Sequence, residues 1–235
     1  MQKFVVLSQP RSGTHMVGGA LASRPDVYQR GEIFGYNVPN LPLGVPPSGR
    51  AVLEATWALG EQMGMRAAGG LMHPSVLRKP AWGRDAYDAL LADPDVRIVR
   101  VFRRNLLHML VSLRQAEKCG HWRVPAGHAA PQPRVRLGPV PRIVAQLDEW
   151  QAERQQFHDA FYERFRDVLP MWYEELVAEF DDAMHLVQEF LNLDNVKLTC
   201  PYVKQRQLPM SEVVEDWKSV VDGLRGTEYQ VYLEA

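Results

Sequence analysis

Two cysteines in 235 residues, Cys119 and Cys200, exclude a disulfide-stapled fold, and they lack the spacing of metal ligands. Both read as unpaired thiols, and no metal is expected. The chain also lacks a charge excess. With 27 Lys and Arg against 28 Asp and Glu the net charge is −1, so the broad basic surface of a general nucleic-acid binder is missing and no nucleic-acid partner is expected. Any anion must be held by local groups. No apolar run approaches the roughly 20 residues that cross a bilayer, and no N-terminal stretch shows the basic, apolar and small-residue order of a signal peptide. A cytoplasmic protein without a membrane span is expected. Internal repeats and low-complexity tracts are absent too, and the length and ordinary composition suit one large α/β domain over residues 1–235.

What is present starts at Phe4-Val5-Val6-Leu7-Ser8, a short apolar strand that runs through Gln9-Pro10-Arg11-Ser12-Gly13 into a helical pattern carried by Met16, Val17, Ala20 and Leu21. This order places the N–H groups of Ser12, Gly13 and Thr14 at a helix N-terminus, where donors and dipole both favour an anion. Arg11 adds a full positive charge. The loop is not the nucleoside-triphosphate loop G-x-x-x-x-G-K-[ST]: position 8 is serine, and Thr14, not lysine, follows Gly13.

Farther along, Arg24-Pro25 ends the first helix, and Gly31 to Gly35 reads as a short connection in which Glu32 folds back toward the mouth of the same cleft. Residues 36–50 hold four prolines and oppose helix and central strand alike. Periodicity predicts helices over Ala51–Met63 and Arg84–Ala92, strands over Met65–Leu71 and Val96–Phe102, and a helix after Asn105. Residues 118–141 are irregular and rich in proline and glycine. A long core-packing helix carries Ile143, Leu147, Trp150, Phe157, Phe161 and Phe165. A strand over Val168–Tyr173 is followed by one helix from Leu176 to Leu191 and, in the tail, by one helix from Val213 to Leu224 ending at Gly226. Strands separated by helices predict a parallel sheet with helices on both faces, its ligands outside the carboxyl ends of the strands. The Pro10–Thr14 loop and the Arg103–Asn105 turn both follow strands at that edge, and two anion sites facing one cleft are expected.

Pro10-Arg11-Ser12-Gly13-Thr14 resembles the 5′-phosphosulfate loop of the sulfotransferases that use 3′-phosphoadenosine 5′-phosphosulfate (PAPS), written P-[KR]-[ST]-G-[ST]. Arg104, Asn105, Val111 and Ser112 match the second signature of that family, R-N-P-x-D-x-x-V-S. Leu106 and His108 stand where its proline and aspartate would be, which puts the helix-start chemistry in doubt. Trp172-Tyr173-Glu174-Glu175-Leu176 resembles the family's recurrent Y-E-[DE]-L segment, read as structural. The ending from Lys204 to Leu233 is similar to that of bacterial carbohydrate sulfotransferases of the nodulation type.

The resemblance implies a P-loop-like α/β fold of the sulfotransferase type and transfer of a sulfuryl group from PAPS to a hydroxyl or amine, releasing 3′-phosphoadenosine 5′-phosphate (PAP). It implies that Arg11, Ser12, Gly13, Thr14 and His15 line the 5′ side of the nucleotide, that Arg104 and Ser112 bind its 3′-phosphate, and that Lys204 and Arg206 close over it. Arg11 would meet the charge that develops on the leaving oxygen. For the base, Glu32 comes first, because related bacterial enzymes carry a glutamate soon after the first helix, and His73 second, because cytosolic members use a histidine. The acceptor is a small molecule or carbohydrate, met by the loops at 36–50 and 118–141; Trp82 and Trp122 are stacking candidates. A homo-oligomer is left open. The competing readings are a P-loop kinase or nucleoside triphosphatase, which needs the missing lysine, and a nucleotide-binding module without chemistry.

Overall fold

The computed structural model describes residues 1–34, 48–74, 83–162, 167–202 and 208–233. Lys204, Arg206, Trp82, Phe165 and most of the first proline-rich loop lie outside them. In chain order the elements are β1 (Gln2–Ser8), α1 (Thr14–Ala22), β2 (Val27–Glu32), α2 (Gly49–Gln62), β3 (Ala67–Met72), α3 (Gly83–Ala92), β4 (Val96–Phe102), α4 (Leu106–Cys119) and α5 (Val140–Tyr162). Then come β5 (Val168–Trp172), α6 (Tyr173–Ala178), α7 (Phe180–Phe190), α8 (Met210–Val213), α9 (Trp217–Leu224) and a 3-10 helix (Glu228–Leu233). They form two compact units, one of Met1–Phe102 with Phe157–Cys200, the other of Arg103–Gln156 with Pro201–Ala235.

The first unit is built on a five-stranded sheet, all parallel, in the order β2-β3-β1-β4-β5. Its central strand β1 is apolar on both faces, as a parallel strand covered on both sides must be. Side chains alternate across a strand, so Phe4 and Val6 enter one core with Val17, Ala20 and Leu21 of α1 and Met184, Val187 and Leu191 of α7. Val5 and Leu7 enter the opposite core with Val52, Leu53 and Trp57 of α2 and Ala86, Ala89 and Leu90 of α3. Helices therefore cover both faces, as expected. The chain winds from β1 out to β2, back to β3, and then across to β4 and β5, so the direction of winding reverses beside β1, where such sheets bind ligands.

At the end of the sheet opposite the β1–α1 loop, buried Arg24 is fully engaged. Its Nε and Nη2 each donate to Asp26 at 2.8 Å, while Nη1 donates to Gln188 Oε1 and to the Asp194 carbonyl at 2.6 Å. The second unit packs Leu106, Leu107 and Leu110 of α4 against Ile143, Leu147 and Trp150 of α5, closed by Val213, Val220, Leu224 and Tyr229.

Three sequence expectations are corrected. Gly31 and Glu32, read as the start of a connection running to Gly35, end the edge strand β2, which was not expected. Its outer positions are only half-buried and a bulge near Gly31 breaks its alternation, which hid the strand signal. The helix expected from Leu176 to Leu191 is two helices, broken at Glu179 (φ −131°, ψ 56°), so that Leu176 and the α7 stripe reach the same core at different angles. The tail helix is also two. Val214 is extended and bridges Val135, and Asp216 accepts from the backbone N–H groups of Leu137 and Gly138 at 3.0 and 2.9 Å. These bonds tie the second half of the irregular 118–141 segment to the tail of the same unit.

Candidate anion-binding and catalytic site

The turn between β1 and α1 is held in an unusual backbone shape. Arg11 has φ 65° and Gly13 φ 92°, both left-handed. Gly13 is the N-cap of α1 and no side chain caps that helix, whereas Ser48 caps α2 and Asn105 caps α4. Met16 N–H donates to the Gly13 carbonyl at 2.8 Å, and the N–H groups before it stand at a helix N-terminus with no intrahelical carbonyl to meet. Only glycine suits position 13. A Cβ there would lie 2.6 Å from Tyr173 Cδ2 and 3.5 Å from Leu176 Cδ2, so α6 backs the turn closely.

Beneath the turn, Ser8 and Thr14 are both buried and their hydroxyls share a short hydrogen bond. Ser8 Oγ also donates to the Gln9 carbonyl at 2.9 Å. A hydroxyl has one proton, so Thr14 is the donor to Ser8. The side chain of Thr14 latches the turn, and what it offers an anion is its backbone N–H.

Beside the turn, three strand ends converge. The sheet order places the carboxyl ends of β2, β3 and β1 next to one another, and these carry Glu32, His73 and Ser8. The bulge at Gly31 (φ 85°) re-aims Glu32 before Ile33 returns to the ladder by donating to the Leu71 carbonyl at 2.9 Å. Glu32 Oε1 lies 3.2 Å from His15 Nε2 and 3.7 Å from His73 Nε2. The hydrogen bond with His15 first, and the neighbouring His73 imidazole second, hold its carboxyl well below the usual range, against the opposing effect of partial burial. His73 Nδ1 donates to the Ser8 carbonyl at 2.8 Å. Ser8 therefore braces the anion turn through its hydroxyl and the histidine through its carbonyl.

In the second unit, Arg104 is exposed just before α4 and Ser112 is buried along it. The doubt raised by Leu106 and His108 is resolved by Asn105, whose Oδ1 accepts from the His108 N–H at 2.8 Å while Nδ2 donates to the Tyr232 carbonyl at 2.9 Å. The carbonyl of neighbouring Arg103 accepts from Arg154 Nη2 at 2.6 Å. Trp122 is half-exposed. Among the described residues no group of three or more His, Cys, Asp or Glu is placed to hold a metal ion, and no helix is long and apolar enough to cross a membrane.

No family model matches the chain. Nodulation protein H of Rhizobium meliloti (strain 1021) is 23% identical over 227 residues, covering 92% of this chain and 88% of that protein. Among solved structures, a sulfotransferase from Alicyclobacillus acidocaldarius matches with a TM-score of 0.53 at 15% identity, over 100% of this chain and 94% of that one. The fold is that of a sulfotransferase. The likeness to the nodulation-type protein extends through the middle of the chain, which the short motifs left unassigned.

Within this sulfotransferase fold, Arg11, Ser12, Gly13 and Thr14 form the β1–α1 turn, and His15, Glu32 and His73 meet at one carboxylate oxygen. His15, expected on the nucleotide, brings its Nε2 within 3.2 Å of Glu32 Oε1. Ser8 and Tyr173 were missed as parts of the site. A polar residue closing an otherwise apolar central strand was the available signal for Ser8. For Tyr173 the signal was the Y-E-[DE]-L match, read only as structural; the ring covers Gly13.

Proposed function

We propose that this protein is a PAPS-dependent sulfotransferase that moves a sulfuryl group to a hydroxyl or amine of a small-molecule or carbohydrate acceptor and releases PAP. The observation that carries the reading is the uncapped α1 N-terminus behind a left-handed Arg11–Gly13 turn, with an ionised glutamate between two histidines on the neighbouring strand ends. The likeness to nodulation protein H over most of both chains supports it.

In this proposal the turn amides and Arg11 hold the 5′-phosphosulfate and meet the negative charge that grows on its bridging oxygen as the S–O bond breaks. Fixed donors of this kind supply much of the rate in group transfer between oxygens. Arg104 and Ser112 read the 3′-phosphate, the guanidinium by two-point contact. Lys204 and Arg206 close over the nucleotide, and Glu32 or His73 takes the acceptor's proton, worth roughly 10²- to 10⁴-fold. Residues 36–50 and 118–141 supply acceptor contacts, and residues 1–235 work as one catalytic domain.

The test is calorimetric titration with PAP, ADP and ATP, each with and without Mg²⁺. Tight, metal-independent binding of PAP alone is expected. A preference for Mg·ATP would overturn the reading in favour of a kinase, and PAP binding without sulfuryl transfer to any acceptor or to water would reduce the protein to a binding module.

A further inference from the structure

The backbone on either side of Arg104 is tied to a different element of the second unit. On one side, the Arg103 carbonyl accepts from Arg154 Nη2 of α5 at 2.6 Å. On the other, Asn105 uses both ends of its amide. Its Oδ1 caps α4 by accepting from the His108 N–H at 2.8 Å, and its Nδ2 donates to the Tyr232 carbonyl of the 3-10 helix at 2.9 Å. That 3-10 helix is in turn fastened to α5. The hydroxyl of Tyr229, a residue buried in the core of the unit, donates to Asp148, and Gln151 Nε2 donates to Glu228 Oε2 at 3.3 Å. Asp148, Gln151 and Arg154 follow one another at intervals of three and lie along one side of α5. The ties therefore close a ring: α5 to the turn, the turn to the 3-10 helix, and the 3-10 helix back to α5. Arg103 and Asn105, the two tied residues, are buried, and Arg104 between them is exposed.

On the sulfotransferase reading, in which Arg104 meets the 3′-phosphate of PAP, we infer that this ring positions Arg104. Asn105, Arg154 and the Tyr232 carbonyl then set how strongly a 3′-phosphorylated nucleotide is preferred over one without that group. They need not touch the nucleotide. A guanidinium grips a phosphate at two points from one direction, and a long side chain reaches that direction reproducibly when the backbone it starts from is fixed. Backbone freedom lost in folding does not have to be lost again on binding. The 3-10 helix near the end of the chain is thereby part of nucleotide selection, through the Tyr232 carbonyl.

The test is calorimetry with PAP and with adenosine 5′-phosphosulfate, which lacks the 3′-phosphate, on wild type, N105S, R154M, R104A and the two double variants. Serine still caps a helix but brings no second donor to the Tyr232 carbonyl. N105S should weaken PAP about 3- to 10-fold, the range of one hydrogen bond, and the phosphosulfate less than about 2-fold. R154M, which leaves the α4 cap whole, should show the same selectivity. In R104A, where no guanidinium remains to be positioned, either change should cost PAP less than about 2-fold. Equal loss of both ligands in N105S and R154M would make the ring structural alone and overturn the inference. A PAP loss undiminished in the R104A background would also overturn it, by showing that the substituted residue acts on the phosphate without Arg104. A selective PAP loss in R104A with none in N105S or R154M would sink the inference and leave the reading of Arg104 standing. Wild type that does not bind PAP, or R104A that binds it as the wild type does, would overturn that reading and the inference with it.

Discussion

Gly13→Ala tests the anion turn most directly, and its effect divides into two parts that can be measured apart. The left-handed φ of 92° costs a residue with a Cβ about 1–2 kcal/mol. The new methyl would also lie 2.6 Å from Tyr173 Cδ2 and 3.3 Å from Cε2, an overlap that a packed site relieves at about 1–3 kcal/mol. Together these predict a loss of about 2–5 kcal/mol, a large share of the roughly 5–15 kcal/mol that holds a domain. Urea unfolding of the wild type, G13A, Y173A and G13A/Y173A would separate the two. Removing the ring should relieve the overlap but not the backbone strain, so glycine replacement should cost only about 1–2 kcal/mol in the Y173A background. Phosphate or PAP affinity, followed by calorimetry, should fall in both G13A variants, because the turn amides are misplaced either way. Equal destabilisation in the two backgrounds would show that Tyr173 does not back the turn. A loss below about 0.5 kcal/mol in the wild-type background, the usual range for a neutral surface change, would refute the left-handed conformation itself.

Three further outcomes are expected. Arg24→Met removes the charged hydrogen bonds to Asp26 and Gln188, while Arg66 stays 3.8 Å from Asp26 and Val196 N–H still reaches Gln188, and should destabilise by about 1.5–3 kcal/mol. Arg24's hydrogen bonds, opposed by slight burial, lower the Asp26 pKa from 3.8, so the Asp26 contribution is present above that value and is lost as pH falls through the depressed one; the gap between the urea midpoints of wild type and variant should narrow below about pH 4 without closing, because Arg24's bonds to Gln188 and the Asp194 carbonyl do not titrate. Asn105→Ala should cost the second unit about 1–2 kcal/mol as a lost cap. Asn105→Asp, although as good a cap, turns an oxygen toward the Tyr232 carbonyl, and unfolding of N105D at the wild-type midpoint would disprove that second bond. Arg104→Ala should weaken PAP by about 1.5–3 kcal/mol, the range of a charged hydrogen bond, and adenosine 5′-phosphosulfate by much less; calorimetry showing equal loss for both would mean that Arg104 does not read the 3′-phosphate.

The strands β1, β3, β4 and β5 were legible because each is a short apolar run between breakers, and the helices that follow them repeat at 3.6 residues. The edge strand β2 was not, since Tyr28, Gln29, Arg30 and Gly31 face partly to solvent and a bulge interrupts their alternation. The breaks at Glu179 and at Val214–Asp216 were also hidden. Apolar periodicity runs straight through both, and only the pairing of Val214 with Val135, or the competing packing of Leu176 and α7, decides against a continuous helix.

The site divides in the same way. Its candidate residues were in the sequence: the Arg11–Gly13 turn after an apolar strand, Arg104 and Ser112 at matching spacing, and Glu32 and His73 as the candidates proposed for the base. Local pattern carries these, because a turn's residues and a helix's spacing are set by neighbours along the chain. That His15 and His73 face one oxygen of Glu32, that Ser8 braces both the turn and His73, and that Tyr173 closes over Gly13 were decided only by tertiary structure. Those contacts join residues far apart in sequence through the order of the strands and the register between them, and neither quantity is written in any one segment.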